Sequence, residues 1–93
     1  MYLELSQQQI DRVAELAGLL TPVTDIAALM ELDEDLLRMD IAESRSAVSR
    51  AFRRAVAQTA LEIRRQELEF ARMGSPAAVQ SAAGYLAAME PYS

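Results

Sequence analysis

The chain is predicted to be all-α, with an N-terminal three-helix, helix-turn-helix-like unit followed by a long antiparallel helical hairpin. Three observations predict this. Apolar residues recur at three- and four-residue spacing along most of the chain, no segment shows the strict alternation of a strand, and all but one of the three glycines and three prolines fall where a helix would start or stop. The exception is Gly84.

Ser6, Gln7, Gln8, Gln9 fits a capping box, in which the serine hydroxyl and the glutamine amide each satisfy a free backbone N–H at a helix start. The first helix therefore begins near residue 7, carries Ile10, Val13, Ala14 and Ala17 inward, and is expected to end at Gly18 in a left-handed conformation. Thr21 is expected to cap a short second helix with Pro22 at its first position, where a missing N–H costs nothing, and Val23, Ile26, Ala27 and Met30 as its buried stripe. Asp33 is the expected cap of a third helix. Its acids Glu34 and Asp35 favour the positive end of the helix dipole, while Leu36, Leu37 and Ile41 point inward.

From Ser44 or Ser46, either of which can cap, nothing breaks a fourth helix before Met73, and the segment is rich in strong helix formers. Gly74 stops it. Ser75 and Pro76 then act as cap and first residue of a fifth helix that runs to about Met89, ahead of Pro91. So short a connection makes the last two helices an antiparallel hairpin. The boundary between the two parts is expected at residues 43/44, giving 1–43 as the helix-turn-helix-like unit and 44–93 as the hairpin, an oligomerisation element by this reading.

Composition narrows the chemistry. The 93 residues are 52 % hydrophobic, which is ample material for a core and excludes intrinsic disorder. Cysteine and histidine are absent, removing disulfides, thiol chemistry, the usual nucleophilic triads and the common zinc ligand sets. Asp33, Glu34, Asp35 lacks the glycine and terminal glutamate of a calcium loop, and Glu67 and Glu69 point about 200° apart on a helix, so they form no acid/base dyad. The expectation is a protein without enzymatic activity, metal or cofactor. With no apolar run approaching a bilayer's thickness and no basic leader, a cytoplasmic location in a bacterial or phage-infected cell is expected, with no membrane partner.

Charge is distributed unevenly. Net charge is -5, all nine basic residues are arginines, and residues 1–44 hold ten acids against Arg12 and Arg38. On a helical projection Arg50, Arg53, Arg54, Arg64, Arg65 and Arg72 fall in one arc of about 120°, opposite Val48, Phe52, Val56, Ile63 and Phe70, the expected core face. Such a stripe would follow several phosphates. It would equally be a solvated helix face whose arginines pair with Glu69 and with the acidic first half. Leu61 and Leu68 lie inside the same arc and point to a second packed surface. The last helix, with Ala78, Ala82 and Gly84 among its small residues, would let another helix approach closely, either in a second copy or within the chain. Tyr85 is expected at the boundary of the core.

Residues 23–41 have the shape of a DNA-reading motif, although the reading helix is acidic and Arg38 is its sole cation. The run Leu61, Glu62, Ile63, Arg64, Arg65, Gln66, Glu67, Leu68, Glu69, Phe70, Ala71, Arg72, Met73, Gly74, Ser75, Pro76, followed by Tyr85 and Leu86, resembles the segment after the DNA-binding unit in phage small terminase subunits. The order of the two parts is also similar. The resemblance implies an N-terminal unit that binds viral DNA at the packaging site and a hairpin that assembles subunits into a ring serving the large ATPase and nuclease subunit. By position it implies Arg38 as a DNA contact and Gly74 and Pro76 as the hairpin turn. The expected function is therefore a non-enzymatic, homo-oligomeric protein that binds double-stranded DNA. Its phosphate contacts would be Arg50, Arg53, Arg54, Arg64 and Arg65, its base contact Arg38, its oligomer contacts Leu61, Leu68, Ala78, Ala82 and Gly84, and its further partner a large terminase subunit. The alternative is a helical protein–protein interaction and oligomerisation module that binds no nucleic acid.

Overall fold

A computed structural model describes residues 3–89, which form five α-helices and, among the described residues, no strand. The helices are α1 (Gln7–Gly18), α2 (Val23–Met30), α3 (Glu34–Ala42), α4 (Ala47–Arg72) and α5 (Pro76–Met89).

The capping box forms as the spacing requires. Gln9 N–H donates to Ser6 Oγ at 3.1 Å and Ser6 N–H to Gln9 Oε1 at 2.9 Å, so two otherwise unpaired donors are satisfied reciprocally. The end of α1 differs from expectation. Gly18 stays helical, and the left-handed residue is Leu20 at φ 60°, where the chain turns with Leu20 N–H on Ala17 C=O and Thr21 N–H on Leu16 C=O. Thr21 is consequently drawn into the end of α1 and does not cap α2. Pro22 takes the cap position, offering no side-chain bond, and its carbonyl accepts from Ile26 N–H at 3.0 Å. The helix begins one residue later than Thr21 and Pro22 suggested.

Glu31, left-handed at φ 55°, closes α2, with Leu32 N–H reaching back to Ala27 C=O. Asp33 caps α3 as expected, its Oδ1 accepting from Leu36 N–H at 2.9 Å. At the next junction Ser46, rather than Ser44, is the capping serine: its Oγ accepts from Ser49 N–H at 3.0 Å and its hydroxyl donates to Asp40 C=O at 2.7 Å.

The chain divides into two compact units, and the division falls at Thr59/Ala60. That lies inside α4, well beyond the boundary at residues 43/44 expected from sequence. The reason is packing. Val13, Leu16, Ala17, Ile26, Ala27 and Leu37 form a buried core that Val48 joins, with Phe52, Ala55 and Val56 of α4 packed against it. The first half of α4 is thus the fourth wall of the N-terminal unit. Leu3 and Leu5, ahead of α1, lie against the same core. Leu36 and Ile41, expected inward, are half-buried beside a fully buried Leu37.

The second unit comprises the remainder of α4 and α5. Gly74, at φ 93°, ends α4 in a left-handed turn in which Ser75 N–H donates to Phe70 C=O at 3.0 Å. A side chain other than glycine is strained there. Ser75 then caps α5, its Oγ accepting from Ala78 N–H. Both signals at Gly74 and Ser75 act as their types predict. Among the described residues of this unit only Ala78 is buried.

Candidate nucleic-acid interface

Arg50, Arg53 and Arg54 sit at i, i+3 and i+4 in the first turns of α4, so they share one face of the first unit. That face is opposite Val48 and Phe52, which enter the core, and all three arginines are exposed. None has a carboxylate within 4.0 Å among the described residues. The alternative in which this set pairs with the acidic N-terminal half is not seen among the described residues. Of the three, Arg53 alone has a polar partner among the described residues. Its Nε donates to Ser49 Oγ at 3.1 Å, and Ser49 is fully buried.

Ser49 belongs to a short relay across the α3–α4 junction. Arg53 Nε–H reaches Ser49 Oγ, Ser49 N–H reaches Ser46 Oγ, and the Ser46 hydroxyl reaches Asp40 C=O. No motif in the sequence singled out Ser49. The available signal was a polar residue one turn before Arg53 and directly after the core residue Val48.

Arg38 is occupied differently. Its Nε lies 3.0 Å from Glu34 Oε2 and its Nη2 donates to Thr24 Oγ1 at 3.0 Å, which ties α3 back to α2. Around it α3 presents Glu34 and Asp35 in its first turn. The one guanidinium of this face already has an anionic neighbour, and the nearby carboxylates repel a phosphate.

In the second unit Arg64 lies over the Tyr85 ring, 5.1 Å from its centroid, and the Tyr85 hydroxyl donates to Glu67 Oε1 at 2.8 Å. That hydrogen bond, aided by desolvation and by the Glu67 charge, holds the Tyr85 phenol above its ordinary value, with Arg64 opposing. Tyr85 is half-buried, at the boundary as expected. Arg65 is exposed with no carboxylate partner among the described residues. Glu69, one turn from Arg65 and read as a partner for the arginines of the stripe, pairs with Arg72 at 3.6 Å.

The apolar residues of this unit are placed less simply than the helical projection suggested. Ile63 and Phe70, expected in the core, are 38 % and 56 % exposed, and Leu61 and Leu68 are exposed to similar extents. Val79, Leu86 and Met89 of α5 are exposed too. A unit of only two helix segments can cover one strip of each, so side chains flanking that strip stay in water. Ala78 fills the inward strip of α5, which removes it from the surface offered to a second copy, and Ala82 is half-buried. Gly84 is exposed, and among the described residues no atom beyond its chain neighbours and the adjoining backbone of α5 lies within 4 Å of where its Cβ would be. Close packing within the chain therefore does not account for a glycine in mid-helix.

No helix among the described residues is long and apolar enough to cross a membrane. No protein-family model, curated protein or solved structure matches the chain. The arrangement described above defines an all-α protein of two compact units, the first built from α1, α2, α3 and the first half of α4.

Proposed function

We propose that this protein is a non-enzymatic, self-associating protein that binds double-stranded DNA, a reading that its resemblance to phage small terminase subunits supports. The observation that carries the reading is the set Arg50, Arg53 and Arg54, exposed on one helix face with no carboxylate within 4.0 Å among the described residues. A chain of net charge -5 that keeps three guanidinium groups together and unneutralised has an anion-binding face, and a row of phosphates is the ligand that spacing fits. Arg64 and Arg65 are further phosphate contacts on this reading, and a large terminase subunit is the expected protein partner.

The test is retention of duplex DNA at two salt concentrations. Binding that weakens steeply with salt, with a log–log slope that shrinks by roughly 1 for each arginine removed, supports the proposal. Failure to retain DNA at low ionic strength sinks it.

A second reading, a self-associating module that binds no nucleic acid, is favoured by one specific observation. The second unit exposes Leu61 and Leu68 on one side of α4 and Ile63 and Phe70 on the other, together with Val79 and Leu86 of α5, apolar side chains that water penalises and a second copy would cover. DNA retention distinguishes the two: light scattering of the paired change Leu61→Ser and Leu68→Ser shows a lower solution mass under both readings, whereas DNA retention by the unchanged chain is nil only under the second.

A further inference from the structure

Ser49 is a polar side chain at 0 % exposure on the inner side of α4, next in sequence to the core residue Val48. Alanine would pack there without a hydroxyl to satisfy, and a buried hydroxyl is tolerated only when it is hydrogen-bonded. The bond it makes is to an exposed arginine. By accepting from Arg53 Nε at 3.1 Å it holds the inner edge of the guanidinium and leaves the two terminal nitrogens with no other partner among the described residues. Those terminal nitrogens can donate in parallel to two oxygens of one phosphate. The serine is itself anchored through its N–H to Ser46 Oγ, and Ser46 to Asp40 C=O, so the α3–α4 junction sets where the fork sits.

We infer that Ser49 is a positioning residue that presets Arg53 as the anchoring phosphate clamp, and that DNA is held by its backbone along the Arg50, Arg53, Arg54 face of α4 and not read through α3. The inference rests on the DNA-binding reading above and goes further in naming the contact and its mode. Preorganisation matters because an unrestrained arginine loses its rotamer freedom on binding, whereas a held one has lost it already. The second half of the inference follows from α3, where Arg38 is engaged by Glu34 and Thr24 and flanked by acids. Contacts confined to phosphates carry no direct sequence information.

The experiment measures fluorescence anisotropy of two unrelated duplexes with the full chain and with Ser49→Ala, Arg53→Ala, Arg53→Lys, the double variant Ser49→Ala with Arg53→Ala, and Arg38→Ala. Circular dichroism monitors the fold. Ser49→Ala is expected to weaken binding about threefold to tenfold, the worth of ordering one long side chain, at unchanged helicity. In the Arg53→Ala background the serine change is expected to do nothing more. Arg53→Lys keeps the charge but lacks the Nε–H, and it is expected to weaken binding about as Ser49→Ala does. Arg38→Ala is expected to leave affinity for both duplexes unchanged.

A Ser49→Ala chain that binds as tightly as the unchanged one, or a loss that adds fully to that of Arg53→Ala, overturns the positioning role. A strong preference between the duplexes that Arg38→Ala abolishes overturns the backbone-only mode. An unchanged chain that ignores both duplexes at low salt overturns the DNA-binding reading itself, and so the two failures are distinct.

Discussion

The Thr59 hydroxyl donates a hydrogen bond to the backbone carbonyl of Gly18, fastening the last residue of α1 to the middle of α4. Helix ends leave carbonyls without partners, and here a side chain distant in sequence supplies one. Thr59→Val keeps the shape and removes the donor. It is expected to destabilise the chain by about 1 kcal/mol, more if the carbonyl finds no water, as read by urea unfolding. Thr59→Ser retains the donor and is expected to retain most of the stability.

Gly18 and Gly74 are expected to respond oppositely to alanine. Gly18 is helical, and a Cβ there would meet Thr59 Oγ1 at 3.7 Å and Ala55 Cβ at 3.8 Å, which is ordinary contact. Gly18→Ala is expected to be neutral or to stabilise by up to about 1 kcal/mol, because glycine is the poorer helix former. Gly74, at φ 93°, holds a conformation that alanine adopts only under strain, so Gly74→Ala is expected to cost about 1–2 kcal/mol. Thermal unfolding of the two variants beside the unchanged chain gives the sign of each.

Leu37 and Ile26 are both at 0 % exposure and lie in the N-terminal core. Truncating Leu37 to alanine is expected to cost about 2–5 kcal/mol, and trimming Ile26 to valine about 0.5–1.5 kcal/mol. A loss below 1 kcal/mol for Leu37→Ala in chemical denaturation would contradict the packing described.

Tyr85 is expected to ionise above its ordinary value of 10.0. Ionisation converts a donor to Glu67 into an anion facing a carboxylate, so the neutral phenol is the form the hairpin favours. A raised value in the folded state means that the stabilisation is fully present below the unfolded value and disappears as pH rises through the folded one. The window is therefore alkaline, starting near pH 10. Ultraviolet titration of a Tyr2→Phe, Tyr92→Phe chain reads Tyr85 alone, and Glu67→Gln is expected to lower the midpoint.

Local chemistry was legible from residue types. Ser6 with Gln9, Asp33, and the pair Gly74 and Ser75 act within three to five residues, and each does in the fold what its type predicts. The α1–α2 turn was less legible because three residues compete for it. Gly18 is free to turn but stays helical, Leu20 takes the left-handed conformation, and Thr21 spends its N–H on α1. The candidate site was partly legible. Helical spacing placed Arg50, Arg53 and Arg54 on one face, but nothing in the order of residues revealed that Arg38 would be held by Thr24 or that Ser49 would be buried beneath Arg53.

The amino-acid sequence by itself determined that the chain is helical, where most of its helices begin, and that its cations are gathered toward the C-terminal half, since these depend on propensity, capping and composition. Tertiary structure decided which part of α4 joins the N-terminal core, which of its apolar residues are left in water, and which arginines have partners. Those outcomes depend on how many neighbours surround each helix. A periodic pattern shows that a helix has an apolar side, but only the elements packed against it determine whether that side is covered.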